Sequence, residues 1–379
     1  MLRAGAGIFY DRIPISVTLN NDRFNGTTQQ SFLISDPAFF PVIPALEGGQ
    51  PQLLRPVFDA IRAPRMVQTS AGVERQLSKS ARVSATWIDT RGVHLINVRN
   101  INTPIGGVDP YGDASIRLLT ESAGLSRQNQ LVVNTNVNYR KIFLFGYYAY
   151  SRSMDNNEGI PADPYNLRAE WGPATVGDVR HRVALGASIP LRWRFMVNPF
   201  IVANSGQPYN ITTGLDPENT GYPEARPALL GGVSGASCTG VYAAGLGCFD
   251  LTPAAGTPTI TRNFGRGPAA VNLVLRVART WAFGGEGRSG VTASQSGGSH
   301  GEGPPAGMFN TNTGQRYNLT LSASTLNALN HANYAPPDGD LTSPYFGQYR
   351  NLGGMIVMLH GGGASTYNRK IDLQLRFTF

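Results

Sequence analysis

The chain has 379 residues, of which 41% are hydrophobic and only 15% are charged, together with 45 glycines and 26 prolines. No apolar run reaches the roughly 18 residues of a membrane-spanning helix, so the helical membrane proteins are excluded. The net charge of +8 comes almost entirely from arginines that are spread singly along the chain. Without a cluster of adjacent basic residues, this charge does not indicate nucleic-acid binding.

The first predicted strand covers residues 2–10, where apolar and small or polar residues alternate. The segment that follows, 13–64, is rich in proline, asparagine and aspartate and is too long for an ordinary connection. It therefore predicts a functional or partly disordered loop.

Three pairs of alternating segments separated by short turns predict β-hairpins. They join 67–77 to 81–88, 131–139 to 142–153, and 179–189 to 195–204. The segments between the hairpins, 89–127 and 154–177, predict long loops. In the third hairpin, Arg180 and Arg182 share a face with small residues, while apolar residues occupy the opposite face. Such a pair of faces suits a strand between a watery lumen and lipid.

The rest of the chain predicts three more strands, at 271–281, 317–325 and 371–379. The last has a fully apolar face and a fully polar one, and it ends on an aromatic residue. This combination is typical of a strand in an outer-membrane barrel, with lipid on one side and water on the other. The apolar face consists of Ile371, Leu373, Leu375, Phe377 and Phe379.

The connection lengths predict how the strands are arranged. Long and short connections alternate along about ten strands, as expected for an antiparallel outer-membrane β-barrel with short periplasmic turns and long extracellular loops. Segment 284–314 is long where a short turn is expected, and its low complexity predicts a flexible glycine-rich insertion. The predicted fold is therefore all-β, a partial transmembrane barrel.

Cys238 and Cys248 are the only cysteines, and both lie in one glycine- and alanine-rich loop. With no histidine or further cysteine at metal-binding spacing, they favour a loop-closing disulfide in an oxidising compartment over a zinc site. Two free thiols are the alternative.

Motifs of enzymes are weak in this sequence. Gly285, Gly287 and Gly290 spell a dinucleotide-binding pattern, but no helix follows them. Ser299 stands in a G-x-S-x-G string without the strand and helix of a nucleophile elbow. The five histidines are scattered, and Asp338 and Asp340 indicate a turn rather than a calcium site. We predict no catalytic, cofactor-binding or metal-binding residue, and hence no enzyme.

Several strings stand at the predicted ends of strands. They are G-D-V-R-H at 177–181, S-G-Q-P-Y-N-I at 205–211, and L-N-A-L-N-H at 326–331 with S-P-Y-F-G at 343–347. Others are G-A-G-I-F-Y-D at 5–11, T-R-G-V-H-L at 90–95, Y-N-L-R-A-E-W-G at 165–172, G-R-G-P at 265–268 and N-R-K at 368–370. In this order they resemble the C-terminal barrel portion of Oar-like TonB-dependent receptors, whose full-length members carry a carboxypeptidase-regulatory-like domain before the plug. The resemblance covers nearly the whole chain except the glycine-rich insertion.

The resemblance implies a protein of the Gram-negative outer membrane, with a barrel of about 22 strands around a plug. About ten strands, with no plug and no export signal near Met1, lead us to expect that residues 1–379 are the single C-terminal portion of a longer receptor. At the loop rims we expect structural roles rather than ligand contact. The rim residues are Asp178, Arg180, His181, Ser205, Gln207, Tyr209 and Asn330.

The expected partners are outer-membrane lipid, an unidentified extracellular ligand such as a glycan or peptide, and the barrel-assembly machinery acting on the C-terminal strand. The TonB system is a partner only if a plug is present. Two other hypotheses remain open on the sequence alone. One is a self-closing passive porin or an adhesin, and the other is a secreted β-rich enzyme that uses Ser299.

Overall fold

The computed structural model describes residues 1–29, 52–230, 237–254, 256–286, 315–353 and 368–379. Within them, no helix has the length and apolar character needed to span a membrane. Their helices are α1 (Ile15–Arg23) and the 3-10 helix η1 (Arg192–Arg194). Their strands are β1 (Leu2–Tyr10), β2 (Leu53–Leu54), β3 (Arg65–Ser78), β4 (Ala81–Asn100), β5 (Ile116–Tyr139), β6 (Ile142–Asp155), β7 (Gly172–Pro173), β8 (His181–Pro190), β9 (Phe195–Asn204), β10 (Pro208–Tyr209), β11 (Ala228–Leu230), β12 (Val241–Ala243), β13 (Gly247–Asp250), β14 (Gly265–Arg266), β15 (Ala270–Glu286), β16 (Gln315–Leu326) and β17 (Lys370–Thr378).

Ten long strands form one antiparallel wall, in which every strand pairs with the next long strand along the chain. Their order is β1-β3-β4-β5-β6-β8-β9-β15-β16-β17. Two short strands are added at the sides, β2 parallel to β5 and β7 antiparallel to β6. Among the described strands, β1 and β17 form the two edges and do not pair with each other, so the wall is an open part of a barrel. The all-β prediction of about ten strands is confirmed.

The three predicted hairpins are confirmed, and their short turns share one end of the wall. Lys79 and Ser80 connect β3 to β4, and residues 140–141 connect β5 to β6. The helix η1 connects β8 to β9. Arg140 and Trp193 take positive φ angles of 54° and 58°, as tight turns between twisted strands require. All longer connections between described strands lie at the opposite end, except the one that follows β15.

The prediction of a long loop at 89–127 is wrong. Strand β4 continues to Asn100 and β5 begins at Ile116, so the connection covers only 101–115. Register shifts between Val93 and Asn97, with His94 at a φ of 58°, interrupt the alternation that a strand shows in sequence. Other loops also contact this extension, where Arg99 donates to the Pro164 carbonyl at 3.2 Å and Asn100 donates to the Thr220 carbonyl at 2.9 Å, and this weakens the contrast between a polar and an apolar face.

Two other predicted boundaries differ from the structure. The predicted loop 13–64 contains the helix α1, which begins after Pro14 and buries none of its residues. Strand β15 extends to Glu286, three residues into the predicted insertion. Residues 287–314, which form the rest of that segment, lie outside the described part of the chain.

Cross-strand pairing divides the wall into two chemically different faces, because directly opposed residues in antiparallel strands share a face. On the apolar face, Leu185 opposes Ile201, which opposes Leu273. Leu321 likewise opposes Leu375. On the polar face, Arg276 opposes Ser324, which opposes Asp372. The apolar face of the last strand therefore continues in β8, β9, β15 and β16.

Aromatic residues mark the apolar face at the end that carries the short turns. The rings of Phe283, Tyr317 and Phe377 stack with centroids 5.7 to 6.3 Å apart, and Phe377 stacks on Phe379 at 6.0 Å. The guanidinium group of Arg279 lies over the Trp281 ring at 4.8 Å. Such rings, apolar with a polar edge or partner, suit the boundary between lipid and water.

At the opposite end of the apolar face, charged residues end the apolar band. Asp89 pairs with Arg91 at 3.1 Å and with Arg127 at 3.7 Å. Beyond them, the long connections form a layer with its own small core. This core contains Ile211, Ala243, Phe249, Ile260 and Leu341, all buried. Because the wall is a single sheet, the packed apolar core of the described residues lies among the loops.

Candidate functional site

The residues predicted at the loop rims are brought together at the long-loop end of the wall. Asp178 is fully buried, and its Oδ1 accepts a hydrogen bond from the backbone N–H of Ser153 at 2.9 Å. Its Oδ2 pairs with Arg180 at 3.2 Å and with Arg266, which also donates to the Asp178 carbonyl at 2.7 Å. One carboxylate thus joins three segments of the chain, and we call this cluster the rim hub.

Two strings that are far apart in sequence meet beside the rim hub. Strand β10 pairs with β14, so that Pro208 opposes Arg266 and Tyr209 opposes Gly265. The N–H of Gly267 donates to the Gln207 carbonyl at 2.8 Å. A side chain at Gly206 would collide with the backbone carbonyl of Gly267, so only glycine permits this approach. Burial, followed by the nearby Tyr349, raises the pKa of the Tyr209 hydroxyl.

His181 and Ser205 connect the outer ends of β8 and β9. The Ser205 Oγ accepts a hydrogen bond from the His181 N–H at 3.0 Å, and the Ser205 N–H donates to the His181 carbonyl at 2.9 Å. The His181 Nδ1 lies 2.8 Å from the Tyr148 hydroxyl. The imidazole belongs to the apolar face, and these contacts give it a positional role.

Asn330 fixes the start of the last strand. It takes a positive φ of 53° in the turn after β16, and its Oδ1 accepts a hydrogen bond from the backbone N–H of Arg369 at 3.0 Å. The turn is also braced by Asn327, whose side chain bonds both the N–H and the carbonyl of His331. Asn330 therefore holds the chain just before β17 against the turn that follows β16, and Asn327 stabilises that turn.

A second set of ion pairs, absent from the sequence predictions, ties the loops to one another. Arg226 donates to both carboxylate oxygens of Glu170, at 2.7 and 2.8 Å. Arg262 pairs with Asp155 and with Glu158, and it donates to the Glu170 carbonyl at 3.0 Å. Burial alone would raise the pKa of Glu158, but hydrogen bonds from Thr175 and the charge of Arg262 hold it below its usual value. We call these pairs the loop clamp.

A cavity of about 280 Å³ opens beside the rim hub, between the outer ends of β9 and β15 and the loop that follows β16. We call it the mouth pocket. Asn204 and Asn272 reach it from the polar face of the wall, and Tyr334 reaches it from the loop. The lining residues are Val202, Asn204, Ser205, Gln207, Pro268, Ala270, Val271, Asn272, Asn333, Tyr334, Ala335, Pro336 and Gly353.

The polar residues of the mouth pocket differ in whether their side-chain atoms have hydrogen-bond partners. The Asn333 amide accepts from the Val271 N–H at 2.8 Å and donates to the Val271 carbonyl at 3.0 Å, so it continues the sheet like a short strand. Asn272 is only 4% exposed, yet its Oδ1 accepts no hydrogen bond from any described residue. Buried polar atoms nearly always have a partner, so this oxygen lacks a hydrogen bond that such atoms usually make.

A second cavity, of about 380 Å³, lies on the polar face further from the loops. Three amide side chains line it, together with Arg182 and the stacked rings of Phe145 and Phe200, whose centroids are 6.0 Å apart. The amides belong to Gln130, Asn134 and Asn136.

Cys238 and Cys248 form a disulfide with their Cα atoms 5.6 Å apart, next to the buried Phe249. Asp338 and Asp340 accept hydrogen bonds within their own turn, as the sequence predicts. Groups of acidic, histidine or cysteine side chains suited to a metal ion do not occur within the described ranges. Gly287, Gly290 and Ser299 lie outside those ranges.

The profile of a family described as the outer membrane β-barrel domain matches residues 1–291, more than half of the chain. The chain belongs to this family. No curated protein matches the sequence. The protein accordingly lies in the outer membrane, with its apolar face toward lipid.

Two solved structures of outer-membrane proteins align with this chain. The outer membrane transporter YddB from Escherichia coli aligns with all of this chain at 10% identity and a TM-score of 0.53. The chain covers 38% of YddB. The iron transporter FrpB from Neisseria meningitidis aligns with 79% of the chain, over 31% of its own length, at 8% identity and a TM-score of 0.39. The first comparison shows a shared barrel architecture.

Sequence reasoning missed the loop clamp and most of the mouth pocket. Arg226 lies 56 residues from Glu170, and Arg262 lies 107 residues from Asp155. Single arginines and asparagines in loops give no periodic signal, and their partners are set by how the loops fold over the wall. Ser205 and Gln207 were predicted as rim residues and do line the pocket.

Proposed function

We propose that this chain is a barrel portion of a TonB-dependent receptor of the Oar-like type, which binds a substrate at its outer mouth and admits it across the outer membrane. The observation that carries the proposal is the shared fold with the transporter YddB along the whole chain, of which this chain spans 38%. The strings that resemble Oar-like receptors support the finer assignment, because three of them, at 177–181, 205–211 and 265–268, meet at the rim hub.

The parts of the wall would have distinct roles in such a receptor. Its apolar face contacts lipid, and its polar face lines the lumen. The open edges at β1 and β17 would pair with strands from the remaining part of the protein, since unpaired edges in lipid are prohibitively costly. The strand ending at Phe379 would be the segment that the barrel-assembly machinery recognises. Coupling to TonB would require a plug domain in the remaining part, and no enzymatic step is involved.

The experiment uses the protein produced from its complete gene and reconstituted into planar lipid bilayers. A plugged receptor should give no steady passive conductance, and it should cross-link to the periplasmic domain of TonB. Steady conductance without cross-linking would replace the receptor proposal with a passive porin. Absence of both would favour an adhesin. Sequencing the gene upstream of codon 1 provides an independent check, because a receptor requires a continuous frame that encodes a plug.

A further inference from the structure

The mouth pocket carries no charge. None of the residues that line it is an aspartate, glutamate, lysine, arginine or histidine. The ion pairs of the rim hub lie next to it, but their groups are satisfied by one another. An anionic or cationic ligand would therefore lose its hydration without gaining a partner of opposite charge, which is strongly unfavourable. The pocket selects a neutral ligand.

The backbone around the pocket offers no free strand edge. Asn204 lies opposite Arg182 on one side and Ala270 on the other, so both sides of β9 are paired there. The backbone of Val271 is bonded by the Asn333 amide, and the Leu273 carbonyl accepts from the Ala328 N–H at 2.7 Å. An extended peptide, which binds by adding a strand to an open edge, lacks that edge here.

The mouth pocket must therefore recognise its ligand through side chains that both donate and accept hydrogen bonds and through an aromatic ring. The amides of Asn272 and Gln207 can each donate and accept, and the buried Asn272 Oδ1 needs a donor. Tyr334 is stacked on Tyr349 with centroids 5.4 Å apart, which fixes its ring at the pocket. Ligand hydroxyls match the amides, because a hydroxyl also donates and accepts. Apolar C–H faces match the ring and the neighbouring prolines.

The size of the pocket limits how much of the ligand it encloses. Its volume of about 280 Å³ is close to the lower bound of ~300 Å³ for small-molecule sites. Further along the same loop, Tyr345 and Tyr349 are 45% and 49% exposed, and Arg350 lies over the Tyr345 ring at 4.2 Å. These rings extend the surface beyond the enclosed part and can support a longer chain of rings.

We propose that the mouth pocket binds one or two terminal rings of a neutral oligosaccharide at the entrance to the lumen. This inference rests on the proposed receptor function and names the chemical class of its substrate. Asn272 supplies the acceptor for a sugar hydroxyl, Gln207 supplies a second polar contact, and Tyr334 packs against a ring face. A free peptide and a charged saccharide are the competing ligands that the test must separate.

The test measures binding to the purified full-length protein in detergent by calorimetry. The neutral probes are maltotriose, cellotriose, mannotriose, xylotriose and chitotriose; the competing probes are tri-galacturonate and N-acetyl-tri-alanine amide. At least one neutral trisaccharide should bind, with an affinity that does not change between low and high salt, since no charge lines the pocket. Binding of none of the five, or tighter binding of either competing probe, would overturn the inference.

Variants locate the binding in the mouth pocket. Asn272→Leu should weaken binding about tenfold or more, because it removes the acceptor at nearly constant volume. Tyr334→Ala should do the same, while Tyr334→Phe, which keeps the ring, should bind nearly as well as the parent. Asn134→Leu is the matched control, because Asn134 is an amide of the second cavity on the same face. Loss of binding only in Asn134→Leu would move the site to that cavity and contradict the proposal.

The outcomes also separate this inference from the proposed function. A protein that cross-links to TonB and shows no passive conductance, but binds no neutral trisaccharide, is a receptor for another class of ligand. A protein that conducts passively yet binds a trisaccharide in the mouth pocket is a saccharide-selective pore. Heat-modifiable mobility on gels, which reports barrel folding, confirms that each variant is folded before its affinity is compared.

Discussion

The wall and the loop layer are held together in opposite ways. In the wall, every long strand pairs with the next long strand in sequence, and the stabilising elements are regular backbone ladders and an alternating pattern. In the loop layer, single buried ion pairs connect residues that are 56 to 107 positions apart. The wall therefore tolerates many substitutions that preserve its pattern, whereas the loop layer depends on a few individual side chains.

The largest effect is expected from breaking the loop clamp with Arg262→Met. This change keeps most of the volume but leaves the buried Asp155 and the partly exposed Glu158 without their cation. Removing one partner of a buried pair costs about 3–5 kcal/mol. Hydrogen exchange should show the loop layer opening more easily by this amount, with the protection of the wall strands unchanged.

Arg3→Met is the matched control for that change. Arg3 pairs with Glu74 at 2.8 Å, but its side chain is 63% exposed, and such pairs contribute about 1 kcal/mol or less. Equal effects of the two substitutions would contradict the contrast between the wall and the loop layer.

The stability of the wall should depend on the face to which a charged residue is added. Leu373→Arg puts a cation on the apolar face of β17, at a cost of about 2–4 kcal/mol near the middle of the bilayer. Gln374→Arg, one residue further, places the same group on the polar face and should cost far less. The measurement is the folded fraction in lipid vesicles across a urea titration. Equal losses for both variants would mean that the two faces are assigned incorrectly.

The disulfide should contribute less, and only to the loop layer. It links residues 10 positions apart, and the chain-entropy estimate for such a loop is about 2–3 kcal/mol. The double change Cys238→Ser with Cys248→Ser should therefore increase hydrogen exchange in β12 and β13. Protection in β8 and β9 serves as the internal control, and a matching loss there would show that the loop layer and the wall open together.

The smallest effect is a dependence on acidity confined to the connection 101–115. Hydrogen bonds from the Ser115 side chain and backbone, followed by the effect of Arg117, lower the pKa of Asp113 from 3.8 to about 2. Because the folded value lies below the unfolded one, the contribution is complete above pH 3.8 and is lost as the pH falls toward 2. A carboxyl titration by NMR should give this midpoint, and Asp113→Asn should remove the dependence.

The sequence predicted the wall well because the alternation of apolar and polar residues within a strand reflects the lipid and the water on its two sides. Alternation in 371–379 showed which residues face lipid, and short turns at 79–80 and 140–141 showed which strands pair. The exception, the extension of β4 and β5, lies where the register shifts and other loops contact the strands. Local pattern predicts structure only where the two faces meet different solvents.

The candidate site was predicted only in part. Asp178, Ser205 and Gln207 stood in strings that resemble a known family, so their position at the rim could be expected. That Asp178 would be fully buried between Arg180 and Arg266 could not, because the aspartate is joined to a residue 88 positions away. The resemblance located the rim residues, and the folding of the loops determined their contacts.

The sequence by itself determined the class of the protein, the hairpins of its wall and the side that faces lipid, since these follow from the two-residue period of a strand and the lengths of its connections. The tertiary structure alone decided how the loops pack, which arginine meets which carboxylate, and that an uncharged pocket forms where Asn272 and Tyr334 meet. The physical reason is the separation in sequence between the residues that determine each feature. Alternation is set by neighbours in sequence, whereas ion pairs and pockets depend on segments that only the completed fold brings into contact.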